Sequence, residues 1–211
     1  PGYSFVRIPN KDIRWEVSRQ ANVGLDFSLF NDRLYGTLDA FDKLSTDILW
    51  ETTTAIDPIT PTGSNWNNYD MKIINRGLEL ALGFRSEFSE TFQWDFGGNI
   101  SYIYNTVKDL PVSILRTGSL SGPGLTSVEV NGYMNGHPVG TFYILEYLGL
   151  DEDGFSIFRD AKPDGIINDD DRVVAGSALP KIQYNLYGSV SYKKLGLVLN
   201  FNGAAGNKIY N

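Results

Sequence analysis

Apolar and polar residues alternate along this chain in unusually long runs. In FQWDFGGNISYIYN, Phe92, Trp94, Phe96, Gly98, Ile100, Tyr102 and Tyr104 fall on one face. Gln93, Asp95, Gly97, Asn99, Ser101 and Asn105 fall on the other, with Ile103 the exception. A side-chain period of two marks a β-strand whose two faces meet different surroundings. Ordinary strands run to about 5–6 residues, and this register persists for fourteen.

The grammar recurs. NRGLELALGFR sets Leu78, Leu80, Leu82 and Phe84 against Glu79, Ala81, Gly83 and Arg85. NVGLDFSLF sets Val23, Leu25, Phe27 and Leu29 against Asn22, Gly24, Asp26 and Ser28. KIQYNLYGSVSY and LGLVLNFNG repeat it, and RLYGTLDAFDKLSTDILW is the least regular. Short turns are predicted at 31–33, 86–91 and 193–196. Long connections rich in Gly, Pro, Asn and Asp occupy 51–74 and roughly 106–180. The pattern predicts an all-β, antiparallel chain of about six long strands in three hairpins. Short turns lie at one end and long loops at the other, the asymmetry of outer-membrane barrels.

Dimensions agree with a bilayer. Trp94 and Tyr102 share a face eight residues apart, roughly 26 Å along a strand. Strand tilt reduces that to about 20 Å, close to the roughly 25 Å apolar band between aromatic girdles. Trp15, Trp50, Trp94, Tyr102 and Tyr104 are expected at the membrane interfaces. A soluble β-sandwich with aromatics in its core is the competing reading, because alternation does not say whether protein or lipid covers the apolar face. The opposite face would line a lumen with Asp26, Glu79, Arg85, Asp95, Asn99, Asn200 and Asn202. Six strands cannot close around such an interior, so the chain is expected to be part of a larger barrel.

Composition narrows function. The 211 residues carry 18 basic and 25 acidic side chains, a net charge of −7, which argues against nucleic-acid binding. There is no Cys and a single His, so thiolate and multi-histidine metal sites are excluded. No run of 18 apolar residues suggests a spanning helix. The opening PGYSFVRIPN reads as the interior of a longer polypeptide.

The motif DAKPDGIINDDDR (160–172) invites a calcium reading. On a twelve-residue loop, Asp160, Asp164, the Ile166 carbonyl, Asn168 and Asp171 take ligand positions, and Gly165 supplies the sharp turn. Lys162 stands where an oxygen is wanted, and Asp171 is shorter than the usual Glu. The alternative is an acidic turn whose carboxylates cap backbone N–H groups. Loop aromatics Trp66, Tyr69, Tyr133, Phe142, Tyr143, Tyr147, Phe155 and Phe158 could pack within the loops, dock a partner or contact substrate. His137 is a further contact candidate. No nucleophile elbow, phosphate cradle or placed carboxylate pair is present, so no catalysis is expected.

Taken together, NVGLDFSLFNDRLYGTLDAFDKLSTDIL (22–49), IINRGLELALGF (73–84), WDFGGNISYIYNTVKDL (94–110), NGHPVGTFYILEYLGLDEDG (135–154) and the segment 164–211 resemble the C-terminal barrel of SusC/RagA-type TonB-dependent outer-membrane transporters. Asp164-Gly165, Asp171-Arg172, Gly176 and Pro180 are the most specific part. The resemblance implies a sector of an about 22-stranded transmembrane barrel, spanning 1–211, with extracellular loops at 51–74 and 106–180. It implies import of oligosaccharides or peptides, a SusD-like lipoprotein lid, coupling to TonB through a plug outside these residues, and contact with outer-membrane lipid. The residue-level alternatives are a passive porin piece or a soluble calcium-binding adhesion domain.

Overall fold

A computed structural model describes residues 9–54, 63–86, 89–122 and 125–210. In chain order, β1 (Val17–Leu29) and β2 (Leu34–Thr46) form a long hairpin, and β3 (Ile48–Thr54) and β4 (Gly63–Tyr69) a short one. β5 (Lys72–Arg85) and β6 (Phe92–Lys108) form the second long hairpin. β7 (Leu115–Gly122), β8 (Leu125–Tyr133), β9 (Thr141–Leu145), β10 (Tyr147–Leu150), β11 (Ser156–Phe158) and β12 (Arg172–Ser177) follow. β13 (Ile182–Tyr192) and β14 (Leu195–Ala205) close the chain's third long hairpin.

The six long strands form one antiparallel sheet in the order β1-β2-β5-β6-β13-β14. The three-hairpin arrangement is therefore as the alternation predicted. The turns use residues that tolerate the left-handed backbone: Asn31 and Asp32 have φ 54° and 62°. Asp32 also accepts a hydrogen bond from the Ser28 hydroxyl.

Register turns the stripe on each strand into continuous rows. Leu25, Leu38, Leu80, Ile100 and Tyr184 are successive partners across five strands. Leu29, Leu34, Phe84 and Phe96 make a lower row, and Leu186 pairs with Phe201. This face is not covered by protein. Val23 is 76% exposed, Leu186 54%, Leu199 48% and Phe96 47%. A water-soluble sandwich would bury these side chains, so the competing reading fails on the apolar face itself. β1 and β14 are the sheet's margins, and their side chains are exposed on both faces.

The segments expected as long loops carry structure of their own. β5 begins at Lys72 and β6 runs to Lys108, because the ladder continues through Ile73–Val107 to Lys72–Lys108. The sheet therefore takes residues from both predicted loops. Beyond it stand the β3–β4 hairpin, a four-stranded sheet in the order β12-β9-β8-β7, and the β10–β11 hairpin. Trp50 lies in β3, outside the six-stranded sheet. Asp47 takes a left-handed φ of 55°, breaking β2 from β3, and the Trp50 ring meets Tyr133 edge-on at 5.5 Å.

Candidate substrate wall and extracellular cap

The inward face is built from the residues that alternate with the apolar rows. Ser28, Tyr35, Gly83, Gly97, Tyr187 and Asn200 form one complete row across the six strands. Two glycines between two tyrosines let the rings lie down. A Cβ on Gly83 would sit 2.3 Å from Tyr35 Cζ, and one on Gly97 would sit 2.5 Å from Tyr187 Oη. The two hydroxyls meet at 3.0 Å, and Tyr35 Oη donates to Asp95 at 3.2 Å. The Arg85 guanidinium lies 5.3 Å from the Tyr35 ring centroid. The lower inward wall is thus a flat aromatic–polar sheet.

Above it the wall is rich in carboxamides. Asn185 Nδ2 donates to Asn200 at 2.6 Å and to Asn202 at 2.7 Å. Asn105 Nδ2 donates to Asn75 Oδ1 at 2.6 Å. Asp39 and Glu79 are register partners on this face. The mixed polar lining expected from Asp26, Glu79, Arg85, Asp95, Asn99, Asn200 and Asn202 therefore shares one side of the sheet.

The segments above the sheet fold against its inward side. Ile48, Met71, Val107 and Leu110 are buried together, with Tyr69, Ile73, Leu115, Tyr133 and Val139 packed around them. Ile73 and Val107 alternate with outward residues, so this small core sits on the lumen face. Hydrogen bonds fasten it. The Val107 N–H donates to the His137 carbonyl and the Gly136 N–H to the Val107 carbonyl, both at 2.9 Å. The Val139 N–H donates to Asn105 Oδ1 at 2.6 Å, and the Asn135 side chain bonds both backbone groups of Leu110.

The loop aromatics divide by environment. Tyr69 and Tyr133 belong to the cap core. Tyr143 lies beneath Arg116, 5.9 Å from its ring centroid. Phe142 is buried and faces Tyr210, and Tyr147 meets Phe158 at 6.0 Å. Trp66 is half-buried, and its carbonyl accepts from Asn10. Phe155 is 71% exposed and, with Tyr147, Leu148 and Leu150, makes an open apolar surface on the β10–β11 hairpin. Among the expected interface residues, Tyr102 and Tyr104 stand half-exposed at the upper edge of the apolar rows. Trp94 packs on Phe96 near the short turn, and Trp15 is 89% exposed ahead of β1.

In the acidic turn the carboxylates serve the backbone. Asp160 accepts from the Gly165 N–H, Asp164 from the Ile166 N–H, and the Asn168 side chain from the Asp170 N–H. Asp171, almost fully buried, accepts from the Asn168 and Lys162 N–H groups. Those bonds, the Asn168 one foremost, hold its carboxyl below the usual carboxylate range. Arg172 and Arg116 flank Asp169 at 2.8 and 3.0 Å, and Lys162 pairs with Asp170 at 2.6 Å. Asp160 Oδ1 is buried without a hydrogen-bond partner. Among the described residues no group of three or more His, Cys, Asp or Glu side chains is placed to hold a metal ion. Lys162, at the third loop position, spends its charge on Asp170 where a cation ligand was wanted.

Comparisons with known proteins agree with this geometry. A family profile described as "TonB dependent receptor-like, beta-barrel" matches residues 1–210. TonB-dependent receptor P26 of Formosa agariphila is 28% identical, over 100% of this chain and 22% of its own length. TonB-dependent receptor SusC of Bacteroides thetaiotaomicron is 23% identical, over 95% of this chain and 20% of its own. The chain thus spans about one fifth of the curated relatives it matches. Among solved structures, the RagAB peptide importer in the "open-open" state superposes with a TM-score of 0.75 at 22% identity, covering 98% of this chain and 22% of that one.

Proposed function

The chain belongs to the TonB-dependent receptor-like β-barrel family, and from that premise we propose that it is a wall sector of a SusC-like outer-membrane importer. Its work is binding and gated passage, without bond chemistry. The single observation that carries the reading is the contrast between the two faces of one six-stranded sheet. Apolar rows lie bare on one side, and a carboxamide- and tyrosine-rich wall lies under a folded cap on the other.

Lipid tails cover the apolar rows, and further strands pair with β1 and β14, since an unpaired strand edge in hydrocarbon is not tolerated. The inward wall and the cap face an oligosaccharide or peptide on its way through. A SusD-like lipoprotein lids the mouth. The exposed apolar surface of Tyr147, Leu148, Leu150 and Phe155 supports the β10–β11 hairpin as its contact. TonB acts through a plug outside these residues.

Uptake by cells expressing the full-length protein tests the proposal. Accumulation of radiolabelled oligosaccharide and peptide mixtures should stop when a protonophore collapses the proton-motive force. Uptake that continues at an unchanged rate would identify a passive pore.

A further inference from the structure

Where the cap meets the top of the wall, a cavity of about 360 Å³ remains, large enough for a single sugar ring or one end of a peptide. Asn75, Asn105, Gln183 and Lys181 are among its polar lining, beside Tyr104, and Pro138 and Pro180 are among its apolar walls. It lies on the inward side: Asn75, Asn105 and Gln183 each alternate with outward-facing residues of β5, β6 and β13.

The hydrogen bonds already made decide what the cavity still offers. Asn75 Oδ1 accepts from Asn105, and Asn105 Oδ1 accepts from the Val139 N–H. Two of the three carboxamide oxygens are thus engaged, while the Asn75 NH₂ and the second N–H of Asn105 remain unspent. Lys181 is the only charged lining residue, is exposed and forms no ion pair among the described residues. Among the described residues no carboxylate lines the cavity. A surplus of donors and one cation suit a ligand group rich in acceptors and negatively charged. The nearest inward acid along β5, Glu79, is four residues below Asn75, roughly 13 Å along the strand and beyond the Debye length of about 8 Å at physiological salt.

We propose that this cavity, lined by Asn75, Asn105, Gln183 and Lys181, is a carboxylate-binding subsite that takes the C-terminal end of a short peptide or the acid group of a uronic-acid sugar. The proposal rests on the importer reading and names the ligand chemistry of its wall. The apolar walls shelter the carbon skeleton, the carboxamides bind the carboxylate and its neighbouring polar atoms, and Lys181 supplies the charge.

The test is isothermal titration of the full-length receptor in detergent with two matched pairs. One is tri-alanine and its C-terminal amide; the other is digalacturonic acid and its methyl ester. At least one acid should bind about tenfold more tightly than its uncharged counterpart, and which pair does so identifies the source. Lys181→Gln should abolish that preference and Lys181→Arg should keep it. Asn75→Asp, which puts a negative charge in the cavity, should weaken the acid and spare the uncharged probe. Equal affinities within both pairs, no binding by either, or a preference that survives Lys181→Gln would overturn the subsite. Proton-motive-force-dependent uptake is scored separately. Energised uptake without acid preference sinks the subsite alone, whereas acid preference with unenergised uptake sinks the importer.

Discussion

Two adjacent-strand positions at one depth test which solvent meets each face. The apolar band lies between the Tyr102 row and the Trp94 row, and the row joining Gly98 to Leu186 lies midway between them. Leu186 faces outward and is 54% exposed. Asn99, one residue from Gly98, faces inward at nearly the same depth and is exposed. An Arg on the lipid face of a barrel costs about 2–4 kcal/mol at the midplane. At about 1.4 kcal/mol per decade, Leu186→Arg should lower the folded-to-unfolded ratio between about thirtyfold and about a thousandfold. Asn99→Arg should change stability by less than about 1 kcal/mol, since its guanidinium stays in water. The assay is the denaturant midpoint of the full-length receptor in lipid vesicles, read by the heat-dependent shift in its electrophoretic mobility. A packed protein core would also reject Leu186→Arg, so a second readout is needed. A fluorophore on Leu186→Cys should be quenched by nitroxides on lipid acyl chains, and one on Asn99→Cys by aqueous iodide. Equal tolerance of the two Arg variants, or no lipid quenching at position 186, would refute the assignment of faces.

The remaining predictions concern the wall and the cap. Gly83→Ala should destabilise the full-length receptor by about 1–3 kcal/mol, because the new methyl overlaps the Tyr35 ring. The double variant with Tyr35→Ala should recover part of that loss, and an additive double-mutant cycle would contradict the contact. Asp171 is depressed in the folded state, so its contribution to cap stability is present above the unfolded carboxylate pKa of about 3.9 and is lost as pH falls through the lower folded value. Proteolysis within 160–172 should therefore be flat from pH 8 to about 5 and accelerate only in more acidic solution; acceleration on raising the pH would contradict the sign. Asp171→Ala should bring the same cleavage at pH 7 by freeing the Lys162 and Asn168 N–H groups. Calcium at about 1 mM should leave that cleavage unchanged, and calcium-dependent protection would make the acidic turn a metal site.

The barrel wall was legible because its two faces differ at every step. Leu78, Leu80, Leu82 and Phe84 announce the lipid side of β5 without knowledge of any neighbour. What alternation leaves out is pairing. The tyrosines of the lower wall lie flat only because register places Tyr35 opposite Gly83 and Tyr187 opposite Gly97, and neither residue signals that alone. The cap was hidden for a related reason. Its core draws Ile48, Met71 and the Val107–Leu110 stretch from three separate places in the chain, so no single run of residues announces it. Trp50 illustrates the point: the sequence run continues unbroken from β2, but the left-handed Asp47 ends that strand and puts Trp50 into the separate β3. The cavity beneath the cap had no local signal, since Asn75, Asn105, Lys181 and Gln183 meet only after three strands pair.

The main-chain bonds from Val107 to Gly136 and His137 have a consequence for how the passage opens. With Asn105 and Asn135 they rivet the 134–140 stretch to the upper end of a wall strand. This part of the roof is an awning, not a door. Swinging it aside means breaking several backbone hydrogen bonds at once and wetting Val107, which is wholly enclosed. If the sheet is the importer wall proposed above, this flank of the mouth keeps its width, and admission and closure fall to whatever stands opposite.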